Sequence, residues 1–167
     1  MINRRDGLLA GLGFGMLGAM GAEAATPGVV TDKGLGVVSR KLVAGLSAKD
    51  AAQSMESTAD NANIKLVTTL ALSQQVAAMT GKKQRLMTIY LFCDPLIAQD
   101  MVDANPLFAA FMPCRIAMVE DASGSLSLVM MDLDPLVAAA PAALQPKAKH
   151  IRDVLMHIME AGANGDL

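Results

Sequence analysis

Two cysteines, Cys93 and Cys114, are the only thiols in the chain, and both lie in one stretch, YLFCDPLIAQDMVDANPLFAAFMPCRIAMVED, Tyr90 to Asp121. The same stretch carries Tyr90, Phe92, Phe108 and Phe111, which are all the aromatic residues beyond the first 24 positions. Three chemistries suit such a pair. A disulfide closing a loop of about 20 residues would stabilise the fold by roughly 3 kcal/mol in the chain-entropy model. A functional thiol or redox pair is the second, since Arg115 follows Cys114 and a guanidinium close to a thiol favours the thiolate. Strand alternation, however, aims Arg115 away from the Cys114 side, and the compact C-x-x-C arrangement is absent. The third is a pair of buried thiols acting as small hydrophobes. The residue types leave all three open. Alternation groups Cys93 with Met87, Ile89 and Leu91, and Cys114 with Ile116 and Met118, and both sets read as core-facing.

Other constellations carry less chemistry. Met130, Met131, Met156 and Met159, with His157 and the cysteines, would suit a soft metal such as copper. They form no dense M-x-x-M run, and Met is a common core filler. His150 and His157 stand seven apart, not at the i, i+4 spacing of paired helical ligands. They read as solvated, and no metal ligand set or cofactor is assigned. Asp132 and Asp134 flank Leu133, with Asp134 read as a helix cap before Pro135. Asp100 and Asp103 share an exposed helix face. There is no G-x-S-x-G and no Gly-rich phosphate loop. No catalytic residue is assigned, and the reading leans away from an enzyme.

The start of the chain sets the address. Arg4 and Arg5 precede an uncharged run from Gly7 to Gly21, and Ala22-Glu23-Ala24 forms an A-x-A cleavage site. That is the layout of a secretory signal peptide. The run is shorter than the ~20 residues a spanning helix needs. Residues 1–24 are therefore read as a signal peptide, of twin-arginine type or of the general export type. The mature protein is expected to be periplasmic or secreted, with no stable membrane anchor after cleavage. Removing 24 of 167 residues leaves 143, enough for one domain. The leader carries two basic and two acidic residues, so the net charge stays at −2. With no basic patch and few aromatics, nucleic-acid binding is disfavoured.

Any site must be positioned by the elements that follow. Residues 25–34 read as a linker, 35–162 as a single domain and 163–167 as a C-terminal tail. Leu35 to Gly45 is β-branched and stops at Gly, which predicts a strand. Ser47 and Asp50 form a capping-box-like pair opening a helix with an alanine-rich stripe. Ile64–Leu72 and Arg85–Cys93 predict two more strands, with a helical turn or loop between them. Asp94-Pro95 is an N-cap followed by Pro at the first helical position, and the helix to about Ala104 faces inward through Ile97, Met101 and Val102. Asn105-Pro106 ends it. Cys114 to Asp132 alternates on both sides of a turn at Asp121–Gly124, which predicts a hairpin. A short helix follows Asp134-Pro135. Leu144, Ala148, Ile151, Leu155 and Ile158 then lay one apolar stripe on a long final helix. The order is strand, helix, strand, strand, helix, strand, strand, helix. That is α+β: a mainly antiparallel sheet of about five strands with helices packed on one face.

Phe92-Cys93-Asp94-Pro95 and Met112-Pro113-Cys114-Arg115, with the hairpin beyond them, resemble the bacterial and archaeal family catalogued as domain of unknown function 302. The resemblance runs from about Val37 to Ile158. Members often carry Asn at the position of Asp94 and Leu at that of Met112. The resemblance implies a compact α+β domain of the TATA-binding-protein-like type, often a dimer, and supplies no established reaction. The reading that follows is a binding or interaction module. Its site lies between the helix from Pro95 and the strands carrying Cys93 and Cys114. Tyr90, Phe92, Phe108 and Phe111 are its expected apolar walls, and Arg115 its anchor for an anionic group. The partner is a small molecule or a protein. The alternative is a thiol-based redox or sulfur-handling protein using Cys93 and Cys114.

Overall fold

A computed structural model describes residues 28–166. The signal-peptide reading of residues 1–24 lies outside them. The chain forms an α+β domain: six antiparallel strands in one open sheet, with helices over one face. The strands are β1 (Val30–Asp32), β2 (Val37–Lys41), β3 (Lys65–Leu70), β4 (Met87–Cys93), β5 (Cys114–Glu120) and β6 (Leu126–Met131). Their spatial order is β1-β2-β6-β5-β4-β3. The helices are α1 (Ala48–Asn61), α2 (Leu72–Thr80), α3 (Pro95–Ala104), α4 (Asp134–Ala139) and α5 (Gln145–Asn164).

The element boundaries follow from local chemistry. Ser47 Oγ accepts the Asp50 amide at 3.1 Å and donates to its carboxylate at 2.6 Å, closing the capping pair at the head of α1. Asp121 makes the β5–β6 turn by accepting from the amides of Ser123 (2.8 Å) and Ser125 (3.0 Å), and Gly124 takes the positive φ of 85° that an L side chain resists. At Gly81 the chain leaves α2 with a φ of 69°, so the segment between the second and third predicted strands is a full helix capped by glycine.

Strand alternation builds the core. Val38, Met130, Ile116 and Tyr90 stand in cross-strand register as one row, and Leu128 beside Met118 as part of the next. All are buried, beneath α1 and α5. Gly162 of α5 sits where these layers meet. A Cβ there would lie 2.4 Å from Met55 Cγ of α1 and 3.0 Å from Leu128 Cδ1 of β6, so only glycine allows this approach.

Four expectations change. The segment read as linker contributes β1, whose three residues pair with β2 through Val30↔Ser39 to Asp32↔Val37. The final helix runs through Asn164, two residues into the expected tail, because Arg40 Nη2 donates to Asn164 Oδ1 (3.1 Å) and the Val43 amide to the Ala163 carbonyl (2.9 Å). Asp134 is the first residue of α4 rather than its cap. Asp132 accepts the Asp134 amide at 3.0 Å, and Asp134 faces Arg152 at 3.2 Å. Asp100 is held by Lys147 of α5, so that helix face is ion-paired as well as solvated.

Candidate functional site

The site begins where β4 ends. Asp94 follows Cys93 directly, and its Oδ1 accepts the amides of Leu96 (2.9 Å) and Ile97 (3.0 Å). With Pro95 in the first helical turn, this fixes α3 at the sheet end. Asn105 then stops α3. Its side chain accepts the Leu107 amide at 3.0 Å and opens a 3-10 turn over Pro106–Phe111 that turns Phe108 inward. Met112 and a cis Pro113 lead into β5. Met101, Phe108 and Ala140 form a second buried cluster, with Ile97, Met112, Leu144 and Ala148 packed around it.

Between this cluster and the sheet lies a cavity of about 80 Å³. One water needs only ~10–15 Å³, so the space admits a small ligand. Its floor is Phe92 and Cys114; α3 contributes Ile97 and Met101, and α5 contributes Ile151 and Leu155. Phe111, 37% exposed, stands at the rim. The lining is apolar except for Cys93, Cys114 and Asp94.

The cysteines approach as antiparallel pairing requires. Phe92 stands opposite Cys114, and Cys93 is one residue further along β4, opposite Lys65 of β3. Both are free thiols in the structure. One expectation is overturned here. Met87, Ile89 and Leu91, the alternation partners of Cys93, are not in the core. They lie on the face away from α1 and α5, where Met87 is 38% exposed. The buried row of β4 is Thr88, Tyr90 and Phe92, which shares its face with Cys114, Ile116 and Met118. An apolar run does not reveal which of its two alternating sets meets the helices.

The electrostatics of the two thiols are alike in sign. Burial pushes the Cys114 thiol up to about 11; the nearby Cys93 adds to the rise, and Arg115 opposes it without reversing it. Burial also raises the Cys93 thiol, with the Asp94 carboxylate adding to it. Both are therefore protonated at neutral pH, and the arrangement suits packing or ligand contact better than nucleophilic attack.

Five of the seven expected site residues gather here: Phe92, Cys93, Phe108, Phe111 and Cys114. Tyr90 does not. It is 7% exposed within the main core, its hydroxyl raised by burial and then by the Glu56 charge. Arg115 pairs with Leu91, is exposed, and lines a smaller adjoining hollow of about 40 Å³ with Phe111, Cys114 and Met131. The lining from Leu133, Leu136, Val137 and Ala148 was not anticipated as a site. The apolar stripe on α5 was visible as periodicity, but periodicity does not distinguish a filled core from a cavity wall.

No curated protein matches the chain. Among solved structures, the crystal structure of an uncharacterized conserved DUF302 protein from Bacillus stearothermophilus is similar, with a TM-score of 0.64 at 16% identity, covering 76% of this chain and 98% of that one. At that identity the likeness shows the fold. The family model described as domain of unknown function DUF302 matches residues 39–162. The chain thus belongs to the DUF302 family.

Proposed function

We propose that the protein is an exported binding domain whose ligand occupies the cavity between the end of β4, the start of β5 and the helices α3, α4 and α5. The observation that carries this is the cavity itself. About 80 Å³ stands open, with Phe111 at its rim, against apolar side chains and two neutral thiols. Concave, mainly apolar sites with a few convergent polar groups are the usual form of small-ligand sites. Export is supported by Arg4, Arg5 and the Ala22-Glu23-Ala24 cleavage motif. The ligand is small, carries little unneutralised charge and reaches the thiol end.

The test is thermal unfolding of the mature, reduced protein against a panel of small apolar and anionic molecules. A bound ligand at a hundred times its Kd adds about 2.7 kcal/mol. At least one panel member is expected to raise Tm, and Ala148→Phe, which fills the cavity from α5, is expected to abolish that rise. No stabilisation by any member overturns the proposal.

A second reading rests on the step from Phe92 to Cys93 beside Cys114. It makes the pair a reversible redox couple. Intact mass after alkylation across a glutathione series separates the cases. A bridge that opens near about −200 mV supports the couple, whereas one that persists below about −300 mV marks a structural staple.

A further inference from the structure

The cavity brings together four sulfur-bearing side chains that lie apart in the sequence. Cys93 comes from the end of β4, Met101 from α3, Met112 from the segment entering β5, and Cys114 from β5 itself. All four line the same space. None of the other described methionines lines it: Met55, Met118, Met130 and Met159 are buried among core side chains, and Met79 and Met87 are exposed.

The donor set is soft. The one side-chain carboxylate on the wall, Asp94, caps α3 by accepting two backbone amides at Oδ1. Among the described residues there is no group of three or more His, Cys, Asp or Glu that would hold a hard or borderline divalent ion. Thiolate and thioether ligands select Cu(I). Charge balance agrees. A monovalent cation on one thiolate, with the second cysteine bound as a neutral thiol, forms a neutral complex, the form an apolar cavity tolerates. On binding, the cation replaces a thiol proton, which leaves to solvent.

We infer that the thiol end of the cavity is a site for a soft monovalent cation, Cu(I), ligated by Cys93 and Cys114 with Met101 and Met112 as thioether donors. This deepens the binding reading above and rests on the cavity being a ligand site.

The experiment is an anaerobic titration of the reduced mature protein with Cu(I) held by a competing chromophoric chelator, with copper X-ray absorption as the structural readout. One Cu(I) per chain with sulfur-only coordination is expected. Removing even an outer-shell partner costs ~10–100-fold in metal affinity. Cys93→Ala/Cys114→Ala is therefore expected to lose more than about 100-fold. Met101→Leu/Met112→Leu, which keeps apolar volume, is expected to lose about 10-fold and to show fewer sulfur scatterers. Failure to take Cu(I) from the chelator overturns the inference. So does uptake that neither double variant weakens. Should the cysteine variant not fold, the methionine variant decides alone. If small apolar molecules still raise Tm while Cu(I) does not bind, the metal site falls and the cavity reading stands; if neither binds, both fall.

Discussion

The two apolar clusters of this domain are packed to different standards. In the main core, α1 and α5 close on the sheet so tightly that Gly162 has no room for a methyl group beside Met55 and Leu128. Around α3 and α4, Met101, Phe108 and Ala140 are buried, yet a cavity separates them from Phe92 and Cys114. Phe92, fully buried, belongs to the first cluster and forms the floor of the second. The main core holds the sheet end rigid, and the second cluster supplies the space. On the proposed reading, a fold that packs one region densely and leaves another open beside its two thiols keeps stability apart from binding.

The difference can be broken or sharpened by substitution. The largest effect is expected from Met55→Ala, which empties a fully buried site in the dense core and should cost roughly 2–5 kcal/mol. Met101→Ala, beside the existing cavity, should fall at or below the low end of that range, because part of its surroundings already lacks partner atoms. Denaturant unfolding of the two variants measures the contrast, and equal costs would break it.

Next comes the titration of Cys114. Its thiol is raised from 9.0 to about 11 by burial. The folded state therefore retains a proton that the unfolded chain has lost. The stability this contributes is whole below about pH 9 and is lost as pH rises toward about 11. Roughly 2–3 kcal/mol is at stake. Comparing unfolding at pH 8 and pH 10.5 in wild type and Cys114→Val isolates this share from the other groups that titrate there. A parallel fall in both would place the thiol in a wetter setting than the structure does.

Gly162→Ala should cost about 1–2 kcal/mol: crowding against Met55 costs roughly 1–3 kcal/mol, and the gain in helix propensity returns up to ~1. The smallest effect is expected at Ala148→Leu. Enlarging a cavity wall should leave stability within about 1 kcal/mol of wild type or raise it. The same operation, small to large, thus carries opposite consequences in the two clusters. Thermal unfolding reads both.

Much of this arrangement was legible in the residues. The Ser47–Asp50 cap, the Asp94-Pro95 helix start, the Asn105-Pro106 stop and the Asp121–Gly124 turn are local signals, and each forms as expected because the chemistry is complete within a few residues. The pairing of β4 with β5, which draws the cysteines together, followed from their order and the antiparallel rule. What failed was long-range. The face of β4 that meets the helices depends on packing across the sheet, so Met87, Ile89 and Leu91 were placed inward when they lie outward, and Cys93 reaches the cavity only because it ends the strand. Strand β1 is three residues long and exists only through its pairing with β2. The cavity is a shortfall in packing among segments far apart in the sequence, and no local pattern encodes a shortfall. Tyr90 looked like a wall by its neighbours in sequence, yet alternation carries it into the main core, near Glu56 of α1.

The most direct test of the account is a heteronuclear NMR titration of the reduced, mature protein with whichever ligand raises its Tm. The predicted result is a set of shift changes centred on Phe92, Cys114, Ile97, Met101, Phe108 and Ile151, with the residues around Gly162 unmoved. Changes centred on the outer face around Met87, Ile89 and Leu91 instead would contradict it.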